Sequence, residues 1–90
     1  NYELAYLNRG NAYANSNQYQ KAIADYNEVI RLKPDSADAF YNRGMVFFIL
    51  GNKEPGCRDA ETACSLGKCQ LLEMAGGKGH CRYPSNTLYR

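Results

Sequence analysis

The chain repeats itself at an offset of 34 residues, which sets position 6 over position 40. Tyr6-Leu7-Asn8-Arg9-Gly10 falls on Phe40-Tyr41-Asn42-Arg43-Gly44, Tyr13 falls on Phe47, Asp25 on Asp59 and Leu32 on Leu66. The shared Asn-Arg-Gly, with an aromatic residue on either side of each glycine, marks two copies of one unit. A unit this short is one supersecondary element that cannot bury its apolar face alone, so neighbouring copies must stack. No other feature narrows the choice of fold as far.

Each unit reads as two helices. Tyr6, Gly10 and Tyr13 share one helical face through their i, i+4 and i+7 spacing. Ala22, Tyr26, Val29 and Ile30 form the answering stripe. Glycine inside a helix costs about 1 kcal/mol relative to alanine. At Gly10 and Gly44 the expected reason is close approach of the partner helix, where Ala22 is also small. Asn15-Ser16-Asn17 is turn chemistry, Pro34 biases Lys33 away from helix, and Asp35 or Ser36 supplies the next N-cap. The map is therefore helices over 2–15, 18–32, 36–50 and 53–66. A short fifth follows over 68–76, where Leu71, Leu72 and Ala75 lie over the last hairpin and Gly76-Gly77 stop it. No strand is predicted, and the fold class is all-α.

In this register Tyr6, Gly10, Tyr13, Ala22, Tyr26 and Pro34 resemble the tetratricopeptide repeat. The resemblance covers about 3–66. The second copy keeps Phe40, Gly44 and Phe47, whereas Gly56, Ala60 and Lys68 stand where the first has Ala22, Tyr26 and Pro34. It reads as a degenerate terminal repeat. The resemblance implies two antiparallel hairpins stacked as a short right-handed superhelix with a C-terminal capping helix. The domain would run over 1–82, with repeat one at 3–36, repeat two at 37–67, a capping segment at 68–82 and an irregular tail at 83–90.

The resemblance also implies a function, the binding of a protein or peptide in a concave groove lined by the first helix of each hairpin. The groove positions are Leu4, Leu7, Asn8, Asn11, Ala14 and Asn15 in repeat one, and Asp38, Tyr41, Asn42, Met45, Phe48 and Ile49 in repeat two. Asparagine amides there suit a peptide backbone, and Tyr41 and Met45 suit apolar anchors. Phe48 is expected in the core. Arg9 and Arg43 are expected to brace neighbouring helices through carboxylates. Repeats of this family that clamp the C-terminal carboxylate of chaperone peptides are similar at Asn11 and Asn42. Leu7 stands where their lysine would be and a third repeat is missing, so that clamp is not expected. The alternative function is structural: a capping or self-associating end of a longer array, with Tyr2 and Tyr6 on its open side. A homo-oligomer or further repeats would then be the partner.

All four cysteines, Cys57, Cys64, Cys69 and Cys81, lie in the C-terminal part of the chain. Cys57 and Cys64 are roughly 10 Å apart along one helix at 1.5 Å per residue, too far for a disulfide. A fifth helix folding back would nest the pairs Cys64–Cys69 and Cys57–Cys81. This ending also resembles the cysteine-bearing cap of some bacterial secreted tetratricopeptide proteins, which favours a periplasmic or secreted location over the cytoplasm. Four reduced thiols packed as small hydrophobes, or a zinc site with His80, stay open as alternatives. The spacings usual for zinc and the Cys-x-x-Cys of redox sites are absent.

The remaining classes find little support. A net charge of +2, with basic and acidic residues interleaved, does not point to nucleic acid. The longest apolar run, Met45 to Leu50, is far too short to span a bilayer, so membrane insertion is not expected. Gly76-Gly77-Lys78-Gly79 lacks the strand and the hydroxyl residue of a phosphate loop. His80 has no catalytic company, and no enzyme activity, metal or cofactor is expected. Because the chain starts at Asn1, a fragment or mature form is expected, and the lack of a signal peptide decides nothing about compartment.

Overall fold

The computed structural model describes residues 1–77 and Cys81. His80, Lys78, Gly79 and the expected tail over 83–90 lie outside the described residues. The five helices are α1 (Tyr2–Asn15), α2 (Tyr19–Leu32), α3 (Ala37–Ile49), α4 (Lys53–Ser65) and α5 (Gln70–Gly77), with no strand among the described residues. Helices α1 and α2 pack as one hairpin and α3 and α4 as the next. The hairpins stack through α2 against α3, and α5 lies over α4 and the neighbouring part of α3.

Local chemistry sets the helix ends. Asn1 and Ser36 accept the N–H groups of Leu4 and Ala39 through their side chains, at 3.0 and 3.2 Å. Each supplies a partner to a donor that helix geometry leaves unpaired. Lys33, ahead of Pro34, is extended at φ −143° and ψ 86°. Three helices end alike, on a left-handed residue: Asn17 after α1, Gly51 after α3 and Gly67 after α4. The N–H of the following residue, Gln18, Asn52 or Lys68, then donates to Tyr13, Phe47 or Ala63 at 2.8 Å. This is the Schellman arrangement. It also moves the start of α5 to Gln70, because Lys68 is taken up in closing α4.

The two arginines of the repeated Asn-Arg-Gly act alike. Arg9 donates through Nε and Nη2 to the buried Asp25, and Arg43 does the same to the buried Asp59, all at 2.8 Å. Each guanidinium also lies over two rings of its own helix, Tyr6 and Tyr13 for Arg9, Phe40 and Phe47 for Arg43. Two buried carboxylates that would otherwise be costly are thus paired bidentately. Arg43 reaches further, donating through Nη1 to Asn27 of α2 at 2.7 Å and so joining the two hairpins.

At the two helical glycines the partner helix approaches closely, as expected, through Tyr26 and Asp25 at Gly10 and through Asp59 and Gly56 at Gly44. A Cβ on Gly10 would stand 2.8 Å from the Tyr26 ring, so the neighbour is the aromatic residue and not Ala22. In the second hairpin the residue in register with Tyr26 is Ala60, which is too small to reach. Leu71 from α5 fills that space, its Cδ2 lying 2.9 Å from where a Cβ on Gly44 would be. The second hairpin therefore completes its core with α5. Ala60, Leu71, Leu72, Ala75 and Cys81 form one cluster, with Tyr41 and Phe48 packed against it. Ala22, Tyr26 and Val46 form the other.

The sulfur atoms of Cys57 and Cys81 are bonded, as are those of Cys64 and Cys69. The first bond ties the chain beyond α5 to the start of α4. The second joins the end of α4 to the residue before α5.

Candidate functional site

The first helices of the two hairpins, α1 and α3, flank a groove of about 370 Å³. Its floor is α2's Tyr26, which is 1% exposed, together with Val46. Asn11, Ala14 and Asn15 form one wall, and Asn42, Met45 and Ile49 the other. Helical spacing explains the selection. Asn11 and Asn15 are one turn apart on α1, as Asn42, Val46 and Ile49 are on consecutive turns of α3.

A buried tyrosine hydroxyl requires a partner, and Tyr26 donates to Asn11 Oδ1 at 2.6 Å. Asn42 Nδ2 donates to the same oxygen at 3.0 Å, from the other hairpin. Burial first, and then the charge of Asp25, push the Tyr26 hydroxyl up to about 12. It therefore stays protonated, and stays a donor, through neutral pH. The lining contains no carboxylate, histidine, thiol or amine. Such a site suits hydrogen bonding and apolar contact.

The structure divides the expected groove residues. Asn11, Ala14, Asn15, Asn42, Met45 and Ile49 line the groove. Leu7 is half-buried against the Ala22, Tyr26 and Val46 cluster and is not among the lining residues. Leu4 and Asn8 are exposed on α1 and are not among the lining residues. Asp38 and Tyr41 meet the cap. Lys68 pairs with Asp38 at 3.1 Å and stands 5.0 Å from the centre of the Tyr41 ring. Phe48 lies against Gly56 and the cap cluster, on the core side.

Two residues escaped the sequence reading as parts of the groove, Tyr26 and Val46. Tyr26 was hidden by its place in an apolar stripe and Val46 by its place in the apolar run Met45 to Leu50. Tyr26 carried a signal nonetheless, since its hydroxyl had to end on an acceptor from the facing helix. Among the described residues, no three His, Cys, Asp or Glu side chains gather as metal ligands. No helix there is long and apolar enough to cross a membrane.

Comparison with known proteins supports the resemblance to the tetratricopeptide repeat. The family model for the TPR repeat matches residues 10–51. The Hsp70-Hsp90 organizing protein of Triticum aestivum is 35% identical over 74 residues. Hsp70-Hsp90 organizing protein 3 of Arabidopsis thaliana is 31% identical over 74 residues. Each alignment covers 82% of this chain but only 12% of the relative, so the chain spans a small part of the length of the curated relatives it matches.

Proposed function

Starting from a chain that carries tetratricopeptide repeat sequence over residues 10–51, we propose that this protein is an interaction module that binds a protein partner through the groove between α1 and α3. The observation that supports this most directly is the amide pair at its centre. Asn11 and Asn42 come from different hairpins, meet at 3.0 Å, and are held by a buried tyrosine. Preorganised polar groups of this kind lower the ordering cost of binding. Exposed apolar side chains beside them supply contact area.

The relatives are named for organizing Hsp70 and Hsp90, so purified Hsp70 and Hsp90 are the first partners to assay. The carboxylate clamp is not the mode we propose, because Leu7 occupies the lysine position and is half-buried. The test is affinity capture from the source cell with the intact protein and with an Asn42→Ala/Ile49→Lys variant. A partner held by the wild type and lost from the variant supports the groove. One held equally by both refutes it.

A second reading, stacking of α1 on a further helical repeat, is favoured by a difference between the two hairpins. Ala39 is fully buried beneath α2, whereas its counterpart Ala5 is exposed. The Arg43 side chain is 21% exposed and the Arg9 side chain 58%. The outer face of α1 is thus built like a face that another second helix covers. Sedimentation equilibrium over a range of concentrations tests the version in which a second copy does so. A monomer throughout removes that version.

A further inference from the structure

We infer that the Cys57–Cys81 bond is a redox latch for α5: a dithiol that reduces it releases this helix from the second hairpin and leaves the first hairpin folded.

Helix α5 has little of its own to hold it. It is 8 residues long, short of the roughly 12–15 at which an isolated helix becomes even marginal in water. Its apolar anchors are Leu71, Leu72 and Ala75, all buried. Fixing its backbone costs conformational entropy at every residue, and three side chains offer limited burial against that. Covalent links on either side of α5 reduce the cost by keeping the segment close to α4. Cys69 lies next to its first residue, and Cys81 lies beyond its last.

The two links are unequal. Cys64–Cys69 spans the turn that ends α4, which backbone bonds already close. There the Gly67 N–H donates to the Cys64 carbonyl at 2.9 Å, and the Lys68 N–H to the Ala63 carbonyl at 2.8 Å. The pairing of Lys68 with Asp38 holds the same turn to α3. Opening that link therefore leaves the start of α5 in place. Cys57–Cys81 joins residues 24 apart in sequence, and Cys81 is buried in the cluster of Ala60, Leu71, Leu72 and Ala75. It closes the longer loop, so its opening returns more chain freedom. The first hairpin is insulated from the change. Its cluster of Ala22, Tyr26 and Val46 shares no residue with the one that α5 completes.

Cys57 is half-buried and Cys81 buried, so a dithiol reaches Cys57 Sγ first. One thiolate of the reductant attacks that sulfur, the S–S bond breaks, and Cys81 leaves as a thiolate that takes up a proton. The second thiol then displaces Cys57 from the mixed disulfide, and Cys57 is protonated in turn. The protein gains two electrons and two protons as two thiols, and the dithiol becomes a disulfide. Release of α5 uncovers Gly44 and Ala60, with Tyr41 and Phe48 beside them.

The test is hydrogen exchange of the intact protein, read amide by amide in nitrogen–proton correlation spectra, oxidised and then in dithiothreitol. Intact mass after alkylation reports which links are open. Reduction should speed exchange at Glu73 and Ala75 of α5 about a hundredfold, while Tyr26 and Val29 of α2 keep their rates. Reoxidation should restore the slow rates. Cys64→Ser/Cys69→Ser should keep Glu73 and Ala75 protected until dithiothreitol is added, whereas Cys57→Ser/Cys81→Ser should leave them fast throughout. Slow exchange at Glu73 and Ala75 with both links reduced would overturn the latch, as would their release on opening Cys64–Cys69 alone. Loss of protection at Tyr26 and Val29 on reduction would overturn it too, because the bond would then hold the whole fold and not one helix.

Discussion

Leu71 is the residue on which the second hairpin's core depends, and Leu71→Ala tests that directly. Leu71 is 2% exposed and occupies the space above Gly44 that Tyr26 occupies above Gly10. Deleting a buried leucine side chain costs about 2.7–5.0 kcal/mol, depending on how far the site collapses. Helix α5 is only 8 residues long and lies at one end of the stack, so some collapse is available and the lower part of that range, about 3 kcal/mol, is expected. For a small domain this is a large share of the total. Urea unfolding of the oxidised protein, followed by far-ultraviolet circular dichroism, should show a lower midpoint with the slope unchanged. Gly44→Ala supplies the complementary perturbation. Its new methyl group would meet Leu71 Cδ2 at 2.9 Å and Asp59 Cβ at 3.0 Å, an overpacking cost of about 1–3 kcal/mol that exceeds the helix gain of about 1 kcal/mol. In the Leu71→Ala background one of those contacts is gone, so Gly44→Ala should cost less there. The account is refuted if Leu71→Ala costs under about 1 kcal/mol, or if Gly44→Ala costs the same in both backgrounds.

The repeated ion pairs predict unequal losses despite equal geometry. Arg43→Ala strands the buried Asp59 and breaks the bond to Asn27, for a cost of about 2–3 kcal/mol. Arg9→Ala should cost clearly less, because that guanidinium lies mostly in water, and equal midpoint shifts in urea would contradict this. Tyr26 predicts an alkaline decline. Its hydroxyl is raised from 10.0 to about 12 in the fold, so the stability it contributes is complete below pH 10.0. Between pH 10.0 and about 12 the unfolded chain releases the proton while the folded one keeps it, and roughly 2–3 kcal/mol is lost. Tyr26→Phe should flatten that part of the stability profile, and an unchanged slope would count against burial as the cause. Gly67→Ala, at φ 105°, should cost about 1 kcal/mol by forcing a side chain into left-handed backbone, read as a lower melting temperature. Removing the longer cysteine link with Cys57→Ser/Cys81→Ser should cost about 3 kcal/mol of loop-closure entropy, and intact mass before and after reduction checks that both bonds form.

Relatedness to proteins far longer than this chain gives the groove prediction a practical use. The same Ile49→Lys change can be carried into any longer form, where loss of one partner with retention of others would map that partner to this pair of hairpins.

Local and periodic information was legible without coordinates. The 34-residue offset, the four hairpin helices to within a residue or two and the turn at Asn15-Ser16-Asn17 follow from spacing and backbone chemistry close in the chain. The bracing role of Arg9 and Arg43 was also legible, because the offset carries Asp25 onto Asp59 along with them. What the tertiary structure decided is which neighbour covers each face. Leu7 and Asn11 are one turn apart on α1, yet one is half-buried against the Ala22, Tyr26 and Val46 cluster and the other lines the groove. Asp38 and Tyr41 read as groove residues until Lys68 pairs with the one and stands over the ring of the other. Leu71 reads as an ordinary cap residue until Ala60 leaves the space above Gly44 to be filled. Backbone preferences act over a few residues and are written in them, whereas coverage depends on segments distant in sequence that meet only when the chain packs.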